Sequence, residues 1–292
     1  RRHSVSQPAQ RAKLMHLDSS AAARLINDIQ DCHILVVGDL MLDRFVDGAV
    51  TRISPEAPVP VLSQSTSQQM PGGAANVAGN LAQLGARVTL IGACGDDATA
   101  ADLAAELQHF PRITFIPVTV AGRPTSLKTR YRASGQQILR VDDELSIPIS
   151  DSAQTELSDR VNAVLDTADM LILSDYAKGC LPLTLIRSLI DAARAAKKLI
   201  VADPKLADLS VYRDVDVLTP NLKELSSAAG TSPIELDAIG ATATRLAKTH
   251  NIGTIMTTLS ARGILASQGD GTQFHDPART RDVFDVSGAG DT

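Results

Sequence analysis

The sequence predicts an α/β domain with a mostly parallel central sheet and a small β lid. Three observations predict this class: short apolar, β-branched runs, intervening stretches with apolar residues three and four positions apart, and two Val-, Thr- and Pro-containing stretches that fit neither pattern. Strands that alternate with helices favour a parallel sheet, because each helix returns the chain to the edge from which the next strand starts.

The predicted strands of the central sheet are short runs without polar alternation. The first is Ile34-Leu35-Val36-Val37, which is followed by Gly38-Asp39. A run of this length that ends in glycine is typical of a strand buried on both faces. Further strands are predicted at 88–91, 170–173, 199–202, 217–218 and 254–257.

The segments between these strands have the apolar period of amphipathic helices. Helices are predicted at 74–84, 98–107, 153–165, 184–196 and 233–248. Residues 1–30 are assigned to a tail and a first helix, since the first dozen residues are polar and poor in large apolar groups. Residues 31–292 then form one domain.

Two stretches interrupt the alternation of strand and helix, residues 45–62 and 114–141. Both mix Val and Thr with Pro and Gly, which indicates extended ribbon rather than helix. Strands outside the alternation need another place in the fold. We therefore expect them to form a small β lid over one edge of the main sheet.

Composition excludes several classes of protein. The net charge of -5 and the scattered Lys and Arg residues give no basic surface for nucleic acid. Cys32, Cys94 and Cys180 are widely spaced and include no Cys-x-x-Cys pair, which argues against a disulfide framework or zinc site. No apolar stretch is long enough to span a membrane, and no signal-peptide region is evident, so a cytoplasmic location is expected.

The chemistry is concentrated in the last residues, Ser287-Gly288-Ala289-Gly290-Asp291. Small residues allow several backbone N–H groups to turn toward one point and stabilise developing negative charge. A carboxylate directly after such an anion hole, Asp291, could remove the proton of an attacking hydroxyl, which is a requirement of phosphoryl transfer. Taken alone, Gly-x-Gly-Asp is more typical of a glycine turn with a helix-capping aspartate.

A second segment, Gly72-Gly73 followed by Asn76 and a helix of small residues, changes that assessment. Together with the Gly-Ala-Gly-Asp segment it resembles the two signatures of the ribokinase-type (PfkB) carbohydrate kinases. The resemblance runs in order over nearly the whole chain from residue 34. It also covers the segments 38–43, 219–224 and 258–263.

Within that family, the sequence is most similar to the bacterial heptose 7-phosphate kinases of lipopolysaccharide core synthesis. The additional segments that resemble them are 38–44, 52–61, 128–130, 136–142, 174–179 and 203–205. The resemblance implies a ribokinase-like three-layer fold and a homodimer formed through the β lid. It also implies ATP-dependent phosphorylation of the anomeric hydroxyl of D-glycero-D-manno-heptose 7-phosphate in the synthesis of ADP-heptose.

The resemblance implies a sugar site in which Asp43 and Asn76 bind hydroxyls while Gly72 and Gly73 let the backbone approach the sugar. A phosphosugar also needs cations at its distal end. The implied substrate-binding residues of the similar segments are Lys128, Arg130, Arg140, Asp142 and Lys178. Any one of the four cations in this set, taken singly, is more often a solvated surface residue.

The resemblance assigns the remaining residues to ATP and its metal ions. Asn221 and Glu224 match the family's Asn-x-x-Glu, with Glu224 acting on Mg²⁺ through water. Lys205 is expected at the phosphates, with a salt bridge as the alternative. Thr258, Ser260 and Gly263 match the loop along the nucleotide. Asp285 corresponds to a carboxylate that holds a monovalent cation such as K⁺, or else caps a helix.

Three alternatives remain open at this point: a heptose phosphate kinase, another sugar or nucleoside kinase of the family, and a non-catalytic sugar-binding relative. The family pattern continues with a helix beyond the catalytic aspartate, whereas this sequence ends at Thr292. We therefore expect that the C-terminal part of the kinase domain, which would close the adenine pocket, is missing from the sequence. A Rossmann dehydrogenase is excluded because no Gly-x-Gly-x-x-Gly follows the first strand.

Overall fold

The computed structural model describes residues 19–278. Its helices, in chain order, are α1 (Ser19–Asp31), α2 (Ala74–Gln83), α3 (Ala98–Leu107), α4 (Asp151–Leu165), α5 (Leu183–Ala195), α6 (Leu222–Ala229) and α7 (Leu236–Thr249). Its strands are β1 (His33–Gly38), β2 (Leu40–Ile53), β3 (Pro60–Gly73), β4 (Arg87–Cys94), β5 (Ile113–Thr119), β6 (Ser126–Ala133), β7 (Gln136–Asp143), β8 (Met170–Ser174), β9 (Leu199–Asp203), β10 (Val217–Leu218), β11 (Thr254–Thr258), β12 (Ile264–Gln268) and β13 (Gln273–Asp276). Two 3-10 turns occur at Leu209–Tyr212 and Ser260–Arg262.

Within these residues the central sheet has nine strands in the order β13-β12-β11-β10-β9-β8-β1-β4-β5. All neighbours from β5 to β11 are parallel, and β12 and β13 are added antiparallel at one edge. Each of the six predicted strands coincides with one of the parallel strands. The mostly parallel sheet is therefore confirmed.

The apolar strands are buried because helices cover both faces of the sheet. On one side, Leu35 and Val37 of β1 pack in a cluster with residues of α4, α5 and α7. On the other side, Ile34 and Val36 pack with residues of α2 and α3. Alternate residues of one strand thus enter two separate cores, which is the reason that the run has no polar alternation. The result is a three-layer arrangement of helices, sheet and helices, as the resemblance implies.

The predicted helices are all present, with two differences. Helix α7 begins at Leu236 rather than at residue 233, and α6 was not predicted. Helix α6 has only eight residues and buries only Leu225 completely, so it is too short to show a helical period of apolar residues in the sequence. No helix within residues 19–278 is both long and apolar enough to cross a membrane.

A second sheet of four strands has the order β3-β2-β6-β7. Its pairs β2/β3 and β6/β7 are antiparallel, whereas β2/β6 is parallel. The first ribbon is longer than the expected 45–62, because β2 and β3 together run from Leu40 to Gly73.

The assignment of all of 114–141 to the lid was wrong for its first part. Strand β5 pairs in parallel with β4, so it is an edge strand of the central sheet. Its Pro117 suggested a ribbon, but proline is tolerated on an edge strand because the missing N–H costs no sheet hydrogen bond. Only β6 and β7 of that stretch belong to the second sheet.

The connection between the two sheets places the candidate site. Strand β1 ends at Gly38 and β2 begins at Leu40, so only Asp39 separates them. The second sheet therefore begins at the edge of the central sheet where the parallel strands have their carboxyl ends. Ligands of open α/β sheets bind at that edge.

Candidate active site

The first part of the site is a carboxylate on β2 that meets a glycine on β3. Arg130 on β6 donates a hydrogen bond to Oδ1 of Asp43, and both side chains are largely buried. A Cβ atom added to Gly72 would lie 2.5 Å from Oδ2 of Asp43. Glycine is therefore needed at this position for the Asp43 carboxylate to keep its place.

The junction of β3 and α2 lies beside this carboxylate. Gly73 has a φ of 56°, and a Cβ atom on it would lie 2.6 Å from the carbonyl oxygen of Asp39. The amide of Ala74 donates to the same oxygen at 3.0 Å. The backbone thus turns directly from strand into helix, with Asn76 in the first turn of α2. The predicted residues Asp43, Gly72, Gly73 and Asn76 come from these adjoining segments.

Three of the four predicted phosphate-binding cations form an ion-pair cluster with carboxylates, whereas the fourth, Arg130, pairs with Asp43. Lys128 Nζ lies 2.7 Å from Oε2 of Glu144 and 3.4 Å from Oδ2 of Asp142. Lys178 Nζ lies 2.5 Å from Oε1 of Glu144, and Arg140 Nε lies 2.9 Å from Oδ1 of Asp142. The cluster adjoins Asp43, because Lys128 is the register partner of Asp43 on β6.

Glu144 is a site residue that the sequence reasoning missed. It follows β7 directly, in the acidic run Asp142-Asp143-Glu144, which was the available signal. Burial raises the pKa of Glu144, but the hydrogen bonds and charges of Lys128 and Lys178 outweigh that effect and hold it below its usual value. Glu144 therefore carries a negative charge at neutral pH.

Asp39 is the second residue that was missed. Its buried carboxylate accepts three backbone hydrogen bonds: from Tyr176 at 2.8 Å and Lys178 at 3.1 Å on Oδ2, and from Cys180 at 3.0 Å on Oδ1. These amides belong to the segment that follows β8, which we call the bridging loop (residues 175–180). A buried carboxylate needs such donors. Asp39 therefore fixes the position of this loop at the end of β1.

A second carboxylate holds the bridging loop from within the loop itself. Oδ1 of Asp175 accepts the amide of Ala177 at 2.8 Å, and Oδ2 accepts the hydroxyl of Tyr212 at 2.8 Å. Burial raises the pKa of Asp175, and these two hydrogen bonds partly offset the rise. Ala177 has a φ of 54°, a conformation that non-glycine residues seldom adopt. The loop is thus held by several contacts in a tight conformation.

The predicted nucleotide residue Lys205 lies between two carboxylates. Its Nζ is 2.8 Å from Oε1 of Glu224 and 3.3 Å from Oδ2 of Asp203, and it lies 5.3 Å from the ring centre of Tyr176. Burial raises the pKa of Asp203 to about 6; Lys205 lowers it, while Glu224 adds to the rise. Burial lowers the pKa of Lys205, but the two carboxylates outweigh this and raise it. Lys205 accordingly stays charged.

Asn221 and Glu224 form a capping box at the start of α6. Oδ1 of Asn221 accepts the amide of Glu224 at 2.9 Å, and Oε2 of Glu224 accepts the amide of Asn221 at 2.8 Å. Asn221 also forms an isolated parallel bridge with Thr258 at the end of β11. The capping box thus joins Lys205 on one side to Thr258 on the other.

The loop after β11 contains the other two predicted nucleotide residues. Ser260 has a φ of 53°, and Gly263 has a φ of 88°. A Cβ atom on Gly263 would lie 2.0 Å from the carbonyl oxygen of Asp276. Only glycine fits this close approach of the loop to the end of β13.

The oxygen donors beside Lys205 fit an indirect role at a magnesium ion. The part of the chain from 19 to 278 has no cluster of three or more His, Cys, Asp or Glu residues that could hold a metal directly. Both carboxylate oxygens of Glu224 accept hydrogen bonds, one from Lys205 and one from the amide of Asn221, an arrangement that fits the predicted contact with Mg²⁺ through water. The predicted residues Asp285, Gly288, Ala289, Gly290 and Asp291 lie outside the described residues.

The site has two halves along one edge of the sheet. One contains Asp43 and the ion-pair cluster around Glu144; the other contains Lys205, the capping box and Thr258. The bridging loop connects them, since Lys178 pairs with Glu144 while Tyr176 contacts Lys205. Such an arrangement can hold a polar substrate and a polyanionic one side by side.

Comparison with known proteins identifies the family of this chain. Residues 32–292 match the model of the pfkB family carbohydrate kinases. The chain is 44% identical over 275 residues to the bifunctional protein HldE of Hyphomonas neptunium, covering 94% of this chain and 56% of that protein. It is 42% identical over 269 residues to HldE of Azorhizobium caulinodans, covering 92% of this chain and 56% of the relative. The chain thus spans about half the length of the curated relatives that it matches.

Solved structures show the same fold. Phosphofructokinase-2 from Escherichia coli in complex with fructose-6-phosphate aligns with a TM-score of 0.73 at 22% identity, covering 89% of this chain and 83% of that chain. Arabidopsis thaliana ribokinase complexed with ribose and ATP aligns with a TM-score of 0.64 at 19% identity, covering 89% of this chain and 82% of that chain.

Proposed function

The chain belongs to the pfkB family of carbohydrate kinases, and from this premise we propose that it phosphorylates D-glycero-D-manno-heptose 7-phosphate. The γ-phosphoryl group of ATP is transferred to the anomeric C1 hydroxyl, giving the 1,7-bisphosphate for ADP-heptose synthesis and the lipopolysaccharide inner core. One observation carries the choice of a phosphosugar. The register partner of the sugar carboxylate Asp43 is Lys128, which belongs to a cluster of three cations. A neutral sugar has no group for such a cluster.

The proposed roles follow the two halves of the site. Asp43 and Asn76 bind sugar hydroxyls, with Gly72 and Gly73 giving access to the backbone. The terminal phosphate of the sugar is bound among the cations Lys128, Arg130, Arg140 and Lys178, with Asp142 orienting Lys128 and Arg140. The ATP residues are Lys205, Asn221, Glu224, Thr258, Ser260 and Gly263.

In the reaction, Asp291 takes the proton of the C1 hydroxyl while the hydroxyl oxygen attacks the γ-phosphorus. The bond between that phosphorus and the bridging oxygen of ADP breaks, and ADP leaves with the electron pair. The amides of Gly288, Ala289 and Gly290 stabilise the negative charge that develops. Mg²⁺ supplies charge neutralisation at the phosphates when bound, with Glu224 placed to hold it through water. Asp285 is proposed to bind K⁺.

A substrate panel tests the proposal. ATP consumption is measured with heptose 7-phosphate, with the same heptose lacking phosphate, and with fructose 6-phosphate, using a chain that includes any C-terminal continuation. We expect the heptose phosphate to have the highest kcat/KM. A preference for the unphosphorylated sugar would refute the heptose phosphate assignment.

One observation favours a second candidate, a kinase for a neutral sugar or nucleoside. Arg130 is paired with Asp43, and Lys128, Arg140 and Lys178 are each paired with Asp142 or Glu144. The cations could therefore be structural. Lys178→Ala separates the two cases, because it should reduce activity only with the phosphorylated substrate if the lysine binds the phosphate. An equal loss with both substrates would support the second candidate.

We also propose a homodimer formed through the second sheet. Ile53 is 60% exposed, Leu139 is 54% exposed and Val141 is 47% exposed, all on that sheet. Exposed strand edges with apolar residues are usually covered. Light scattering at micromolar concentration should give twice the monomer mass, and a monomer would contradict the proposal. A reducing, cytoplasmic location is consistent with the three free cysteines, Cys32, Cys94 and Cys180.

A further inference from the structure

The ion-pair cluster contains one carboxylate that connects the two sheets. Glu144 follows β7 of the second sheet, and it pairs with Lys128 on β6 of the same sheet. Its other oxygen pairs with Lys178, which lies in the bridging loop at the end of the central sheet. Each oxygen of one carboxylate thus binds a different ammonium group.

This geometry is one that a phosphate monoester would also adopt. A phosphate has three terminal oxygens, and each ammonium group has three donors, so two lysines that hold one carboxylate are positioned for one phosphate as well. The side chains of Lys128, Glu144 and Lys178 are 16%, 18% and 21% exposed, so each is largely buried but keeps some surface that a ligand from solvent can reach.

Charge decides whether phosphate and Glu144 are held together. With Glu144 in place, three cations (Lys128, Arg140, Lys178) face two carboxylates (Asp142, Glu144), which leaves a single net positive charge. A phosphate dianion placed there would also be repelled by Glu144 at close range. When Glu144 withdraws, the same cations face only Asp142, and the dianion is matched.

We infer that Glu144 is a specificity-determining residue: it occupies Lys128 and Lys178 as an internal anion until the terminal phosphate of the sugar substrate displaces it. The inference rests on the proposed phosphosugar substrate. Its physical consequence is selectivity against free phosphate. Inorganic phosphate must compete with a tethered carboxylate, whereas the phosphate of the substrate arrives with the binding energy of the sugar.

The test is Glu144→Gln, which keeps the shape of the side chain but removes its charge. A like charge beside a bound anion raises the dissociation constant of that anion about tenfold or more. Because the cluster is partly exposed to solvent, we expect an effect near the lower value. We expect the apparent Kd for inorganic phosphate, measured by its effect on thermal unfolding at constant ionic strength, to fall about tenfold. KM for the phosphosugar should fall similarly, so that the ratio of kcat/KM for the phosphorylated over the unphosphorylated sugar rises about tenfold.

Glu156→Gln is the matched control. Glu156 pairs with Arg160 within α4, so the same substitution removes the same charge from a surface ion pair. It should leave the apparent Kd for phosphate unchanged. If Glu144→Gln does not fold, Glu144→Asp replaces it, because the shorter side chain can no longer hold both lysines and phosphate should again bind more tightly than to the wild type.

The inference is overturned if phosphate binds Glu144→Gln no more tightly than the wild type, or if Glu156→Gln has the same effect. It is also overturned if Glu144→Gln reduces activity equally with phosphorylated and unphosphorylated sugars, which would make Glu144 a structural or sugar-binding residue. The phosphate measurement needs no sugar. A wild type that rejects every phosphosugar would therefore refute the proposed function separately from the displacement at Glu144.

Discussion

Replacing Asp39 should disturb the site indirectly, because its carboxylate holds the bridging loop in place. The carboxylate accepts three backbone hydrogen bonds at 2.8, 3.1 and 3.0 Å, and the residue is 2% exposed. In Asp39→Ala, three buried amides of the bridging loop lose their acceptor and water has little access to replace it. Hydrogen bonds to a charged group contribute roughly 1.5 to 3 kcal/mol each, and coupled losses are not additive. We expect a loss of roughly 4 kcal/mol in the free energy of unfolding.

Asp39→Asn provides the graded comparison. The amide oxygen can keep the two hydrogen bonds that Oδ2 accepts, from Tyr176 and Lys178, while the NH₂ group then faces the amide of Cys180. One bond is lost and two donors oppose each other, so a loss of roughly 2 kcal/mol is expected. Because the loop carries Tyr176 and Lys178, kcat/KM for both substrates should also fall in the folded variant.

The assay for both Asp39 variants is urea unfolding followed by circular dichroism, with kinetics measured at a temperature where each variant is folded. The expected order of stability is wild type, then Asp39→Asn, then Asp39→Ala. A loss below about 0.5 kcal/mol in Asp39→Ala, the usual range for surface substitutions, would refute the reasoning. So would Asp39→Asn being the less stable of the two.

Three further predictions concern other parts of the site. In Gly72→Ala the new methyl group displaces the Asp43 carboxylate, so KM for the sugar should rise roughly ten- to hundredfold while KM for ATP is unchanged; an unchanged sugar KM would contradict the role of Asp43. The pKa of Asp203 is raised from 3.8 to about 6, so the folded protein retains a proton at this carboxyl that the unfolded chain releases, and the contribution of Asp203 to stability falls as pH rises from 4 to 6. Between pH 4.5 and 7 the wild type should therefore lose about 2 kcal/mol in unfolding free energy relative to Asp203→Asn; parallel profiles of the two proteins would contradict it. Asp291→Asn should reduce kcat roughly 10²- to 10⁴-fold with sugar binding retained, and near-normal turnover would exclude Asp291 as the base.

The central sheet was predictable because its strands have a local signal. Each buried parallel strand is a short apolar run, and burial on both faces is a property of the run itself. The assignment of β5 was not local. Its sequence contains Pro117 and resembles a ribbon strand, and only its pairing with β4 shows that it belongs to the central sheet. Which sheet a strand joins depends on its long-range pairing, and the sequence of the strand alone does not determine that pairing.

Helix α6 shows a different limit of sequence-based prediction, because the same sequence motif is typical of two different structural roles. The spacing Asn221-x-x-Glu224 was interpreted as a nucleotide motif, but the same two residues form the capping box that starts this short helix. The two roles are compatible, because the capping hydrogen bonds hold Glu224 where its other oxygen meets Lys205. A residue pair selected for its chemistry thus also explains why the local backbone is helical.

The ion-pair partners of the charged site residues could not be predicted from the sequence. The pairing of Lys128 with Asp142 follows from the β6/β7 register, but Lys178 meets Glu144 only because the bridging loop is held by Asp39 at the end of β1. Without this information the cations suggest an open positive surface. Because the cations are already paired with carboxylates, a bound phosphosugar would replace one of these anions while the cations keep their positions. Selectivity would then depend on how well Glu144 competes, and the number of cations alone would not determine it.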